Sequence, residues 1–514
     1  MKKIIFISTL LITSVLHSQE TFNVILEDTI THIPSSIVES NDCYYVLSGT
    51  GSENNIRCYS ITKINNLGEI QWKQIYANDS LEYWEGWEHS LKKSTGGFFT
   101  VGTANHTINN NKGFIFANFD QNLNLVTEQI VSYDTDWQKC FNSLKTDSNN
   151  IFITGQYYDT SLESFYMYIS KYDSLNNHIW TQNYIDTYSY GSQVLECNNH
   201  DIICAGAQNS NGYTNWLINR YTTQGDLLWS KRFGWLGSRN DGSVSALAET
   251  SDSCILACGS YPGIKTAFDT YYDGCIRKID ENGELVWEQL YRSYLLSHTG
   301  SIYTTNNIYS IISDHAVIYA IGRNYNYNSW LDRAFLLKLN SHGEIIWKRN
   351  YFAVNEESHS QQITTFKQTS DNGFILCGYG NDYSNIGYDP PQQRWLIKTD
   401  SLGMDGLCNT EPDALQVDIN LPEEMCAFDT TEQYLYIAGP TAPYTVNISN
   451  GQQFDSIYYP PVFVPKEIGP STIEISYDGI TTMEFEEPEV TISNHEWGEC
   501  IAIPIEFHVG NQVG

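Results

Sequence analysis

Positive charge is scarce: 28 Lys and Arg stand against 60 Asp and Glu in 514 residues, a net charge of −32. Such a surface repels nucleic acid and anionic lipid, so neither is expected as a partner. Charge of both signs together is only 17% of the chain while aromatics reach 14%, with 36 Tyr and 13 Trp, which excludes a disordered or coiled-coil protein. No segment after residue 16 approaches the roughly 20 consecutive apolar residues of a membrane helix, so no membrane insertion is expected. Catalytic signatures are missing as well. There is no G-x-S-x-G elbow, H-E-x-x-H pair, G-x-x-x-x-G-K-[ST] loop or C-x-x-C, and the 12 histidines are scattered singly. No catalytic residue, metal site or cofactor is therefore assigned.

What is present begins with an export signal. Lys2 and Lys3 precede an apolar run from Ile4 to Leu16 that ends in Leu16-His17-Ser18, the charged, apolar, small order of a secretory leader. Residues 1–18 are read as a signal peptide, and the mature chain is expected outside the cytoplasm, secreted or at the cell surface.

Repeats organise the next four hundred residues. A ten-residue pattern with Gly sixth and Trp tenth runs from Lys63 to Trp72, and again from Arg220 to Trp229, Lys278 to Trp287 and Lys338 to Trp347. Lys171 to Trp180 carries Asn176 at the Gly position, Asn118 to Thr127 is degenerate, and Lys398 to Leu407 keeps Gly403 without the Trp. A short β-rich run ending in Gly precedes each copy, at Gly49, Gly102, Gly155, Gly206, Gly259, Gly322 and Gly378. A period of roughly 50 to 60 residues with several short strands, and no 3.6-residue apolar stripe, predicts a seven-bladed β-propeller over residues 19–411. The second unit would run His89 to Thr95 innermost, then Phe98 to Gly102, Gly113 to Asp120 and Leu123 to Val131. The seventh unit lacks its fourth strand, and the orphan stretch Thr21 to Asp28 is expected to supply it, closing the ring so that no sheet edge is left open. The repeated Trp is expected to pack blade against blade, as a large core side chain would.

Residues 412–514 lose the repeat and become Pro-punctuated short strands, read as an acidic β-sandwich with 17 carboxylates against Lys466 alone. Calcium could neutralise Glu484, Glu486, Glu487 and Glu489, but no EF-hand spacing is present, and a solvated acidic surface is the preferred reading. Of the 12 cysteines, Cys204, Cys254, Cys258 and Cys377 fall in apolar strands as small buried thiols, while Cys426 and Cys500 are the best candidate disulfide.

Loop lengths point to a binding face. Hairpins between strands one and two and between three and four are short, as in Asp147 to Asn150 and Ser370 to Gly373. Connections on the opposite face are long and aromatic: Gln156 to Asp159, Ser260 to Asp273, Arg323 to Arg333, Tyr379 to Gln393, Ala77 to Glu88, Ser132 to Trp137 and Gly234 to Gly242. Flat rings with Asn and Asp between them suit a sugar or an extended peptide. The candidate ligand-binding residues are Tyr83, Trp84, Trp87, Trp137, Trp235, Tyr272, Tyr327 and Trp330. The function read from this is an exported non-catalytic protein that binds a glycan or a protein; the alternative is a secreted polysaccharide hydrolase using loop carboxylates.

The [KR]-x-[DN]-x-x-G-x-x-x-W repeat with its Gly-ending strand resembles the secreted β-propeller repeat proteins of Bacteroidetes over roughly residues 20 to 408. Pro443-Tyr444-Thr445 to Asn450-Gly451 is similar to the PYT…SNG segment of immunoglobulin-like modules attached to them. The resemblance implies type IX secretion, although the chain ends at Gly510 to Gly514 without that route's sorting domain. The D-x-x-G-x-x-x-W element is also similar to the tryptophan docking motif of quinoprotein dehydrogenases. Seven blades and the lack of adjacent cysteines argue against pyrroloquinoline quinone.

Overall fold

The computed structural model describes residues 20–26, 32–40, 43–51, 57–76, 81–84, 91–94, 97–106, 112–132, 138–210, 213–234, 242–265, 270–291, 304–326, 331–351, 360–381 and 393–405, with nine short strands between 416 and 502. Residues 1–18, read as a leader, lie outside the described residues. No helix among the described residues is long and apolar enough to cross a membrane.

Seven antiparallel sheets follow one another along the chain, each with its first strand innermost and its strands in sequence order outward. Blade 3 shows the plan in full: Gln138–Lys145, Ile151–Asp159, Ser164–Tyr172 and His178–Tyr184. Blade 7 has three strands of its own, Ser360–Gln368, Phe374–Asn381 and Gln393–Thr399, and takes Phe22–Leu26 as its outer strand, antiparallel to the third. The seven-bladed all-β architecture and its N-terminal closing strand are thus as the repeat predicts.

One local feature explains the glycine that ends each second strand. In six blades the innermost strand carries a bulge, at Ser35, Phe141, Ser192, Ser245, Tyr309 and Thr364; in the last five it lies directly beside the residue paired with that glycine, and in blade 1 one residue further on, after Pro34. The bulge pushes a carbonyl into the space a Cβ would fill: 1.8 Å from Lys139 O at Gly155 and 1.8 Å from Gln362 O at Gly378. Only glycine fits there. Bulged hydroxyls then reach the neighbouring blade, Ser192 donating to Val244 O, and Thr364 to Pro34 O at 3.1 Å across the closure.

Blade 2 departs from this plan. Its innermost strand is split into Leu81–Trp84 and Lys92–Ser94, both paired with Gly97–His106. The break falls opposite Gly102, where the other blades carry a one-residue bulge. The strand expected at His89 to Thr95 is therefore only the lower half of the real one.

The repeated Trp packs blade against blade at the rim, against the core clusters, and Trp347 is itself buried in one. Trp229 and Trp287 are half-buried, each lying on the three-to-four turn of the next blade. Their Nε1 groups donate to Glu281 O at 2.8 Å and Ser341 O at 3.1 Å, and Trp180 donates to Thr223 O at 3.3 Å. Four residues further on, Tyr76, Tyr291 and Tyr351 donate to Leu123 O, Gly343 O and Gly403 O at 2.7, 2.8 and 2.7 Å. The turn glycines serve two needs. Gly283 has φ +81°, and a Cβ there would meet the Trp229 ring at 3.0 Å. Phe22 of the closing strand pairs with Lys398 as each Trp pairs with its Lys or Arg, and it lies against Gly68 in the same way. The missing seventh Trp is thus replaced by a residue 376 positions before Lys398 in the chain.

Beyond the propeller, the described strands form a four-stranded sheet, Gln453–Ile457, Tyr444–Ile448, Thr472–Tyr477 and Ile480–Glu486, plus smaller pairings. One pairing sets Cys426 opposite Cys500 in antiparallel register. Opposed residues in such a ladder have Cα atoms about 4.5 to 5.5 Å apart, within disulfide range.

Two outcomes are expected. Phe22→Ala should lower stability by about 3 kcal/mol, as a truncated buried ring does, with Phe22→Trp retaining it; deleting residues 20–26 should give broad, aggregation-linked unfolding in calorimetry, and sharp unfolding of the deletion would refute the closure. In denaturant without reductant, ten of the 12 cysteines should alkylate, with Cys426 and Cys500 recovered as one linked peptide in mass spectrometry; twelve reactive thiols would refute the pair.

Candidate functional site

The two faces of the ring are built differently. On one, every described three-to-four turn is closed by an Asx or ST cap. Asp120 Oδ1 accepts from Asn122 N and Asn124 N at 2.8 Å each, Asp173 from Leu175 N and Asn177 N, and Thr222 Oγ1 takes the same role in blade 4. Hydrogen bonds from Asn124 and Asn177, side chain and amide, hold Asp120 and Asp173 below the usual carboxylate range. The motif's first residue braces this face. Lys278 and Lys398 pair with Asp252 and Asp371 of the one-to-two hairpins at 2.7 and 2.8 Å, and Arg220 with Asp201 at 2.9 Å. Where the opposing residue is aromatic, the amino group lies over its ring instead: Lys63 over Tyr45, Lys171 over Phe152 and Lys338 over Tyr319. These side chains are used up in holding turns.

On the other face the second and third strands run on past the glycine as projecting ladders. Pairing continues to Asp159↔Ser164 in blade 3, Ser210↔Tyr213 in blade 4, Lys265↔Thr270 in blade 5 and Asn326↔Leu331 in blade 6. The described parts of the connections Ser260 to Asp273 and Arg323 to Arg333, read from the sequence as long loops, are strand. Tyr272, expected on a loop, is a half-buried strand residue opposite Pro262. Tyr83 and Trp84, expected between blades, belong to the innermost strand of blade 2, opposite Ala104 and Thr103. Backbone pairing past the glycine, which a count of connecting residues does not reveal, is the reason for all three corrections. Trp87, Trp137, Trp235, Tyr327 and Trp330 lie outside the described residues.

The fully described part of this face is the seam between blades 3 and 4. Tyr158 and Phe165 are cross-strand partners with ring centroids 4.9 Å apart, and Phe165 meets Tyr188 edge-on at 6.1 Å. Tyr188, Leu162 and Ile185 are 43%, 52% and 55% exposed. Beneath them lie two buried amides. Along the second strand of blade 3, Phe152 and Thr154 face blade 4, Thr154 Oγ1 sitting 3.0 Å from Cys204 Sγ, and Gln156 and Tyr158 follow on the same side. Blade 4 answers with Cys204, Gly206 and Gln208. Gln208 Nε2 donates to Thr187 Oγ1 and its Oε1 has no partner; Gln156 Nε2 has none either. At the outer end Arg232 bonds Tyr184 Oη at 2.8 Å and pairs with Asp186. Asp159 caps the hairpin tip, and hydrogen bonds from the Ser161 hydroxyl and the Leu162 and Ser161 amides lower its pKa. Of this group the sequence reading named only the run Gln156 to Asp159, and none as a site residue; the parity count from Gly155 was the available signal.

Between blades 4 and 5 Arg277, 2% exposed, lies 4.4 Å from the Trp216 ring centroid and bonds Glu288 at 2.6 Å. It joins the two blades through its ring contact, whereas the Lys–Asp pairs above lie each within one blade. Among the described residues no three His, Cys, Asp or Glu converge as metal ligands.

No protein-family model matches the sequence, and no curated protein does. Solved structures similar to it include an ulvan lyase of a new polysaccharide lyase family, at 10% identity and TM-score 0.49 over 74% of this chain and 96% of that one. Another is PorZ, an essential surface component of the type IX secretion system of Porphyromonas gingivalis, at 13% identity and TM-score 0.40 over 88% of this chain and 58% of that one. A third is a DUF4221 family member from Bacteroides vulgatus, at 12% identity and TM-score 0.36 over 63% and 95%. Likenesses of this strength carry no information about ligand or activity.

The Lys–Asp braces predict acid lability. Lys278 and the Thr250 hydroxyl hold Asp252 below its ordinary value; for Asp371, burial would raise the pKa, but the bonds from Lys398, Thr369 and Gly373 outweigh it and the net shift is downward. A depressed folded-state pKa contributes stability above the unfolded value near ~4 that is lost as pH falls through the folded one. The urea midpoint should fall between about pH 5 and pH 2, and Asp371→Asn should flatten that slope; an unchanged slope would discard the brace as its source.

Proposed function

We propose that the protein is an exported, non-catalytic binding protein that engages a glycan or a protein through the projecting-ladder face of its propeller. The observation that carries this is the asymmetry of the faces: one spends its polar groups on capping its own turns, while the other raises paired strands with aromatic side chains and incompletely bonded amides. Rigid strands suit recognition, because little order is lost when a ligand settles on them. Export rests on the leader-like residues 1–18. Two described carboxylates of the seam between blades 3 and 4 support binding over hydrolysis: hydrogen bonds of its hairpin hold Asp159 below the usual carboxylate range, and Asp186 is paired with Arg232. Asp159 is thus not the carboxylic acid with a raised pKa that glycoside hydrolysis needs.

The test is a glycan array with a reducing-sugar assay on every hit, and capture of secreted or surface proteins from the same source alongside. Binding without new reducing ends is expected, with affinity changing less than about threefold between roughly 0.05 and 0.5 M salt, since rings and amides are screened little. Replacing Trp235 and Trp330 by Ala together should weaken binding by roughly tenfold or more while the unfolding temperature stays put. Release of oligosaccharide would establish the hydrolase, and a steep salt dependence would remove the aromatic face as the site.

A further inference from the structure

We infer that the seam between blades 3 and 4 is a subsite for a neutral, hydroxyl-rich ring, that is, one pyranose unit of an uncharged glycan. The inference rests on the proposed binding function and narrows it to a place and a ligand class. The floor of the seam leaves one donor, Gln156 Nε2, and one acceptor, Gln208 Oε1, without partners, on side chains 7% and 0% exposed. Each unmade bond of a buried polar group carries a penalty, so two facing strands that leave two of them, one of each kind, call for a guest that both donates and accepts. Vicinal sugar hydroxyls do both. A carboxylate or sulfate only accepts, so it would leave Gln208 Oε1 unmet, and it would meet Asp186 and a net charge of −32. An ammonium only donates and would leave Gln156 Nε2 unmet.

The wall fits the same guest. Tyr158, Phe165 and Tyr188 form a contiguous aromatic run whose outermost member is 43% exposed, and the C–H face of a pyranose stacks on such a surface while its hydroxyls point to the sides. The connection from Ile185 to Tyr188 borders the seam, tied to blade 4 by Asn209 N to Tyr188 O at 2.7 Å and by Gln208 Nε2 to Thr187 Oγ1 and to Asp186 Oδ2 at 3.5 Å; a sugar hydroxyl that displaces Thr187 keeps the Nε2 bond and adds one at Oε1.

The full chain is titrated calorimetrically with neutral hexasaccharides (cello-, manno- and xylo-series), with an oligogalacturonate and with an uncharged Ser- and Asn-rich peptide. A neutral oligosaccharide should bind. Tyr188→Ala should weaken it roughly tenfold with little change in unfolding temperature, because the side chain is 43% exposed. Gln156→Leu supplies a readout that a purely structural glutamine would not give: affinity falls while the unfolding temperature stays level or rises, since an unmet donor is removed from the interior. Neutral sugar binding unaffected by both variants overturns the subsite and leaves the proposed function standing. Preference for the oligogalacturonate or the peptide overturns the ligand class, and silence from all neutral sugars at millimolar concentration overturns the inference altogether.

Discussion

The structure depends on one contact repeated around the ring: the outer strand of each blade lies on the three-to-four turn of the next. Trp229 over Gly283 and Trp287 over Gly343 show its parts, with an indole N–H given to the turn, a tyrosine hydroxyl given to the glycine carbonyl in the second case, and a glycine that admits the ring. Such a contact is made n to n+1 and has no natural end. A blade without an outer strand would leave the first blade's turn bare and its own third strand unpaired. Phe22 and the strand it heads meet both needs at once, and Trp395 Nε1 bonded to Asn23 Oδ1 at 2.7 Å with Asn23 Nδ2 to Asp405 Oδ2 at 2.9 Å fixes that strand in place. Folding of the propeller is therefore non-local at its last step, a feature that slows folding and leaves an edge exposed until it is complete.

The same contact divides the molecule's labour. The Trp seam, the capped turns it rests on and the bulge hydroxyls, all at or below the level of the second-strand glycine, seal neighbouring blades. Just past the glycine Arg323 bonds Gln362 Oε1 at 3.1 Å and Arg394 bonds Thr62 across the closure; residues further along the ladders are freer to differ from blade to blade. Recognition belongs there on physical grounds, since changing Tyr158 or Tyr188 disturbs no interblade seal, whereas changing Trp287 or Gly155 disturbs one.

How far the sequence could be read follows the same boundary. Below the glycines the requirement recurs in every blade, so it is written as periodicity, and Lys278, Asp280, Gly283 and Trp287 could be recognised by their spacing alone. The Trp packs blade against blade as read from the repeat, while its depth varies from the half-buried Trp229 and Trp287 to the buried Trp347, because spacing marks a shared environment without fixing how deep it lies. Above the glycines nothing recurs. Length of connection was the only signal, and it cannot separate an extra turn of ladder from a loop, which is why Tyr83, Trp84 and Tyr272 changed character. The amides Gln156 and Gln208 were invisible for a further reason: what singles them out is a hydrogen bond not made, and that exists only once facing blades are in place.

The split innermost strand of blade 2 shows how this arrangement can accept new material. In six blades the strand absorbs one extra residue at or next to the level of the glycine, and the sheet continues on both sides of it. In blade 2 Leu81–Trp84 and Lys92–Ser94 keep their pairing with Gly97–His106 although seven residues separate them in the chain. The interruption there spans Thr100 to Gly102, where the other blades skip a single residue. An insertion elsewhere in an innermost strand would shift the register of every residue beyond it and turn core side chains outward. The place where the ladder is already interrupted is thus the place where a blade accepts extra chain while keeping its register on either side.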